Sequence, residues 1–292
     1  RQPELENSFM GFRNYHRGVY LQLSFISNLL NDGYYRFRTG DLLRIDHLDG
    51  KLENVDPWQN AATVSLQNYF SQLLDGDDYQ FAIGPDGYAK TFQRLFGDPW
   101  RRNTTVIPGS LRQPELILPF RSGATWAYTG GPHTGWGTLR PYAAIDFAPP
   151  TESQGCVPTN ESAVAVADGI VARTDVGTIM LDLDGDGDER TGWVILYLHL
   201  SETGRLKVGT RVKKGDPLGK PSCEGGIATG THLHIARKYN GEWIPAVGYL
   251  PFNLSGWVPV EGNRAYEGTL VRGNEVRVAS VKSDSASLIS SD

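Results

Sequence analysis

Cysteine and methionine are scarce, at 2 each in 292 residues, so neither a disulfide-dense scaffold nor a Cys-rich metal cluster is open to this chain. No apolar run approaches the roughly 20 residues that a membrane-crossing helix needs. Positive charge is short as well: 28 Lys+Arg stand scattered against 33 Asp+Glu, for a formal net charge of -5. Lacking a basic stripe, the chain has no electrostatic footprint for nucleic acid, and a soluble globular protein is expected. Position 1 is Arg, not Met, which reads as a processed or trimmed form from which any signal peptide has gone.

What is plentiful is glycine (34), tyrosine (13) and tryptophan (7). That mixture favours a turn-rich protein with a large β component over a helical bundle. A hydrophobic content of 39% in a chain of this length can build one large domain or two ordinary ones.

The two parts of the chain differ in texture. Leu21, Leu23, Ile26, Leu29 and Leu30 fall near helical spacing, and Asn31-Asp32-Gly33 reads as a helix stop. Residues 62–76 repeat the pattern, with Val64, Leu66, Tyr69, Phe70, Leu73 and Leu74 on one side and Gly76 at the end; a third helix is expected over 87–96. Residues 105–118 carry the Pro and Gly of an extended connection. The pentapeptide RQPEL occurs at 1–5 and again at 112–116, too short a match to call a repeat. Beyond it come short β-type runs separated by Asp-Gly, Gly-Asp and Pro-Ser pairs, the pattern of an antiparallel sheet of hairpins. The Ser/Asp-rich end, 276–292, has the composition of a flexible tail. The expectation is an α+β chain: a mainly helical accessory domain over 1–110, a mainly antiparallel β domain over 111–275, and the tail.

Four of the 6 histidines lie in the β-rich part: His133, His199, His232 and His234. His232 and His234 form a His-x-His on a strand, so both imidazoles face one side, about 6 to 7 Å apart. An ordinary exposed strand pair has the same pattern. Asp146 stands among Ala144, Ile145 and Phe147, where burying a carboxylate costs several kcal/mol unless a cation or donors receive it. It could equally be a hydrogen-bonded strand-end carboxylate, and His133, in GGPHTGWG, an ordinary loop histidine. Cys156 and Cys223 sit in Gly-rich loop contexts, where one disulfide could staple two loops in an extracytoplasmic protein; two inert thiols are the other reading.

Taken jointly, His133, Asp146, the Y-L-H of Tyr197 to His199 and the H-L-H of 232 to 234 resemble the LasA/lysostaphin family of zinc metallopeptidases. Many members place the first His in a compact H-x-x-x-D, but Tyr142 occupies that position here. The longer run from His133 to Asp146, in its GPH context, and CEGGIATGTHLH look like the LasA branch. AVADGIVART and VGTRVKKGDPLG are similar to two further family segments, so the likeness spans about residues 118–250. It implies a β domain of the lysostaphin/LasA, duplicated-hybrid-motif-like type. It also implies one Zn2+ per chain on His133, Asp146 and His234, with a fourth position left for water. His232 then stays off the metal, and His199 and His232 serve as general base, proton carrier or oxyanion stabiliser, in an order the motifs leave open.

The same resemblance implies a secreted or cell-envelope endopeptidase acting on bacterial peptidoglycan or glycine-rich peptide, expected as a monomer. Trp126, Tyr128 and Trp136 are candidate groove-lining aromatics. A non-catalytic wall-binding or regulatory module on the same fold is the main alternative. A glycan-acting N-terminal half, with Glu4, Glu6 or Glu53 paired to Asp46 or Asp56, is a weaker one. Asp182, Asp184 and Asp186 alternate ahead of Gly187 like the start of a Ca2+ loop, but the twelfth position, where an EF-hand wants Glu, is Trp193; a solvated acidic turn is the competing reading.

Overall fold

The structure is a computed structural model that describes residues 18–102 and 106–292. It divides into two compact units, one of Arg1–Thr105 with Trp136–Pro141 and the other of Val106–Gly135 with Tyr142–Asp292. Of the two copies of RQPEL, 1–5 lies outside the described residues, as do Glu4 and Glu6.

The first unit contains α1 (Val19–Thr39), a small hairpin of β1 (Arg44–Asp46) and β2 (Leu52–Asn54), then α2 (Ala61–Ser71), α3 (Gly76–Ile83) and α4 (Tyr88–Phe96). The stop expected at residues 31–33 does not occur. Asp32 pairs with Arg36 one turn on at 3.5 Å, and Gly33 lies against α2, where an added Cβ would come within 3.1 Å of Ser65 Cα. Close helix packing therefore uses the glycine in place of a chain break. The helix ends at Gly40, left-handed at φ 80°, whose N–H returns to the last turn. Asn60 caps α2 by accepting the Thr63 N–H at 2.9 Å. That helix is shorter than expected, because Gly76 opens α3 instead of closing α2. The third expected helix is α4.

In the second unit the strands are β3 (Thr125–Thr134), β4 (Tyr142–Ala148), β5 (Ala163–Val164), β6 (Gly169–Asp175), β7 (Thr178–Asp182), β8 (Trp193–Leu198), β9 (Arg211–Val212) and β10 (Pro217–Gly219). They continue with β11 (Leu233–Tyr239), β12 (Glu242–Trp243), β13 (Val258–Glu261), β14 (Gly268–Arg272), β15 (Glu275–Val278) and β16 (Leu288–Ser290). A nine-stranded sheet runs β16-β3-β4-β11-β8-β7-β6-β9 with β12 on β11, and β13-β14-β15 form a smaller sheet. The described pairings are antiparallel, so the α+β class with an antiparallel β domain holds.

Alternation along the central strands decides where chemistry can sit. Ile145 and Phe147 of β4, Leu233 and Ile235 of β11, and Ile195 and Tyr197 of β8 all enter one buried core. With a side-chain period of two, Asp146 and His234 must project from the opposite face, and the register pairs them directly, His234 with Asp146.

Two expectations are corrected. Residues 276–292 are not a flexible tail: β15 reaches Val278, and β16 adds to the edge of β3, where Ile289 is fully buried against the core. Trp126 and Tyr128 do not line a groove. Both are fully buried, Trp126 stacked on Phe120 at 5.0 Å and Tyr128 packed beside Phe147 at 5.9 Å, because their places on β3 face inward. Trp136 is about half exposed.

Candidate metal centre

β3, β4 and β11 bring three distant side chains to one point. His133 Nε2 lies 2.9 Å from His234 Nδ1 and 3.2 Å from Asp146 Oδ1, and His234 Nδ1 lies 3.3 Å from the same oxygen. All three residues are buried. Ligands at 2.0–2.1 Å around a tetrahedral ion stand about 3.3 Å from one another, so the triangle has the size a metal requires.

Hydrogen bonding fixes which atoms face inward. His133 Nδ1 donates to the Gly131 carbonyl at 2.7 Å, and His234 Nε2 donates to the Gly135 carbonyl at 3.1 Å. A carbonyl only accepts, so the neutral rings carry lone pairs on His133 Nε2 and His234 Nδ1, pointing at each other. Among the described residues, Asp146 Oδ1 is buried without a hydrogen bond. Two lone pairs and an orphaned carboxylate oxygen converging in a buried space fit a cation, and the group can hold a metal ion. Gly130, across from Asp146 in the β3–β4 register, makes the room: a Cβ there would collide with the Asp146 carboxylate.

The charges follow the same logic. Burial would raise the Asp146 carboxyl, but the positive charge the surrounding imidazoles can take up, His133 first, outweighs burial and holds it well below the usual carboxylate range. Burial pulls His133 down while Asp146 pushes it up, for a net rise. His234 is lowered, first by burial.

His199 and His232 stand beside this group. Their ring centroids are 4.5 Å apart, and His199 is 6.2 Å from His234. His199 Nδ1 donates to the Glu224 carbonyl at 2.8 Å, and His232 Nδ1 to the Gly230 carbonyl at 2.8 Å. Each therefore keeps Nε2 unprotonated when neutral, and His232 Nε2 is 3.9 Å from Asp146 Oδ2. Burial, then the neighbouring His232, pushes His199 down to about 4. The arrangement offers two bases beside a cation site. Cys156 and Cys223 form a disulfide, S–S 2.03 Å, joining the loop after β4 to the loop that leads into the His-x-His.

Tyr266 has no sequence motif and was not anticipated. It stacks on His133, ring centroids 4.0 Å apart and 21° between planes, and is about half exposed. The turn between β13 and β14 brings it there, through Gly131 N–H to the Tyr266 carbonyl at 2.8 Å.

The acidic turn is separate. Asp182, Asp184 and Asp186 are also brought together, but the buried Asp182 carboxylate already accepts the N–H groups of Asp184, Gly185 and Gly187 at 3.1, 3.1 and 2.8 Å. In the first unit, Glu53 Oε2 contacts His47 Nε2 at 3.0 Å.

Residues 1–108 match the family described as LasA, N-terminal domain, and residues 145–245 match peptidase family M23. Protease LasA from each of two strains of Pseudomonas aeruginosa is 28% identical over 207 residues, 65% of this chain and 47% of LasA. The chain thus spans about half the length of the curated relatives it matches. Among solved structures, a deep-sea M23 metalloprotease, pseudoalterin, is 23% identical with a TM-score of 0.47, over 59% of this chain and 96% of that one. The catalytic domain of lysostaphin from Staphylococcus simulans is 26% identical with a TM-score of 0.27, over 39% and 77%.

Proposed function

We propose that this chain, which carries a LasA/lysostaphin-type M23 domain, is a zinc-dependent endopeptidase that hydrolyses peptide bonds of bacterial peptidoglycan, in its stem peptide or cross-bridge, outside the cytoplasm. The observation that carries the reading is the buried triangle of His133 Nε2, Asp146 Oδ1 and His234 Nδ1, with two further imidazoles beside it. His133, Asp146 and His234 are the metal ligands in this reading, and the Cys156–Cys223 disulfide supports an oxidising compartment.

Two nitrogen donors and one carboxylate suit zinc over a hard cation such as calcium. Bound there, zinc supplies Lewis acidity for the scissile carbonyl and makes water acidic enough to attack near neutral pH. The protein's own groups do the rest. His199 and His232, each held by a carbonyl at Nδ1, present Nε2 to take the proton from the attacking water and return one to the departing amine as the C–N bond breaks. Protonated, either imidazole also donates to the oxygen that gains negative charge. Gly131 and Gly135 keep the ligand rings from turning. Asp146 would bring one negative charge, so that the site with a divalent ion would keep a net positive charge.

The test is to digest purified peptidoglycan and a pentaglycine peptide with the full chain, counting new amino groups, and to measure bound zinc. Hydrolysis abolished by chelator and restored by zinc is expected. The His232→Ala variant should keep its zinc and lose at least 100-fold in kcat. Zinc-free protein that binds peptidoglycan without releasing amino groups would instead identify a non-catalytic module.

A further inference from the structure

His199 follows β8 with φ at 66°, a left-handed value that a residue with a Cβ holds only where its surroundings impose it. Four hydrogen bonds, to three residues, impose it. The His199 carbonyl accepts both the N–H of Ser222 (2.6 Å) and its hydroxyl (3.1 Å). The ring donates Nδ1–H to Glu224, and Leu200, the next residue, donates its N–H to the Gly177 carbonyl at 2.9 Å. Within the 222–226 segment, the Glu224 N–H returns to Ser222 Oγ at 3.0 Å, and the Glu224 side chain accepts the Glu202 N–H at 2.9 Å.

The far side of that segment is held by the turn joining β6 to β7. Gly177, at φ 66°, sits against it so closely that a Cβ would lie 2.7 Å from Gly225 Cα and would collide with the Glu224 carbonyl, the one that receives the His199 proton. The contact is reciprocal. A Cβ on Gly225, at φ 83°, would collide with the Val176 carbonyl. One residue further, a Cβ on Gly226 would stand 3.3 Å from His199 Cε1. Backbone-to-backbone packing of this kind admits no side chain on either partner, and a shift of the Glu224 carbonyl by a few tenths of an ångström is transmitted to Nδ1.

We propose that Gly177 and Gly225 are positioning residues for His199: their bare backbones lock together and set the Glu224 carbonyl where it fixes the imidazole's tautomer and aim. This rests on the catalytic role given to His199 above. The Gly177 turn touches none of the three metal-site residues in the contacts that position it, so its substitution acts on turnover and not on metal capture.

The experiment uses the zinc-loaded full chain, comparing Gly177→Ala, Ser222→Ala and Gly204→Ala. Gly204 also has a left-handed φ, 78°, but nothing within 4 Å, so it controls for backbone strain alone. Steady-state hydrolysis of a glycine-rich peptide should give Gly177→Ala a kcat down tenfold or more, KM within twofold and full zinc content. Ser222→Ala, which removes only a hydroxyl, should lose several-fold in kcat, and Gly204→Ala less than twofold. Long-range 1H–15N spectra of the histidine rings should show His199 protonated on Nδ1 in the parent and in Gly204→Ala, and a mixture of tautomers in Gly177→Ala. Parent-like kcat and an unchanged His199 tautomer in Gly177→Ala would overturn the proposal. If that variant does not fold, the same two readings on Ser222→Ala decide it. His199→Ala with full turnover would instead strike at the catalytic role itself, a separate outcome.

Discussion

Gly130 and Asp146 face each other across β3 and β4, and the carboxylate occupies the space in which a side chain at Gly130 would sit. The proposed ligand set is thus shaped by a residue that donates nothing to it. β3 shifts register between Tyr128, Gly130 and His133, and these irregularities let one strand serve the core with Trp126 and the metal centre with His133.

A methyl at Gly130 must displace Asp146 or the strand. Gly130→Ala should lower zinc affinity by at least tenfold while the fold persists, measured by competition with a chromogenic chelator and by circular dichroism. Parent affinity would show that Asp146 has slack the packing does not suggest.

Tyr266 covers one face of His133 with its ring while half of the residue meets solvent. Tyr266→Phe keeps the stack and should release zinc to chelator at the parent rate. Tyr266→Ala uncovers the imidazole and should release it several-fold faster. Equal rates in both variants would mean that the stack does not shield the ligand.

Not everything in this site was written in local pattern. His232 and His234 were legible because strand alternation puts i and i+2 on one face, and Asp146 because a carboxylate is out of place among Ala144, Ile145 and Phe147. Tyr266 was hidden: it arrives from a turn in another sheet, by a contact no spacing in the chain encodes. The α1 helix ran past Asn31-Asp32-Gly33 because packing against Ser65 and Asn68 outweighs glycine's weak helix propensity, a tertiary contact invisible to periodicity. Trp126 and Tyr128 read as groove residues because composition says nothing of which way a strand faces.

His199 gives the metal-free protein a pH signature with a definite sign. Its pKa is depressed in the folded state to about 4, against about 6.5 for an unperturbed histidine. Between those values the unfolded chain binds a proton that the folded one refuses, so stability is undiminished above about pH 6.5 and falls as pH drops toward 4. Thermal unfolding of chelator-treated protein should show the melting temperature declining across that window, and His199→Gln should flatten the decline. Identical slopes in the two proteins would place the titration elsewhere.

The C-terminal strand makes the last prediction, and the composition of residues 276–292 argues against it while the pairing argues for it. Ser290 and Leu288 are the exposed or partly exposed flanks of a three-residue strand whose middle residue, Ile289, is fully buried and pairs with Trp126 on β3. The polar residues around it are accommodated by hydrogen bonds: the connecting turn holds itself through contacts such as Ser280 Oγ to Asp284 Oδ2 at 2.8 Å, and the buried Ser287 hydroxyl donates to the Asp284 carbonyl at 2.8 Å. Ile289 is therefore the buried apolar anchor of β16, beside polar ties such as Thr125 Oγ1 to Ser290 Oγ at 2.7 Å and Arg272 Nη1 to Asp292 Oδ2 at 2.6 Å. Ile289→Ala should cost about 2–5 kcal/mol, the usual range for emptying a packed core position. Because Trp126 shares strand β3 with His133, the loss should also loosen the metal centre. Denaturant unfolding with tryptophan fluorescence reads the first effect and zinc titration of the same variant reads the second. An unchanged midpoint would mean that β16 contributes nothing to the sheet it closes.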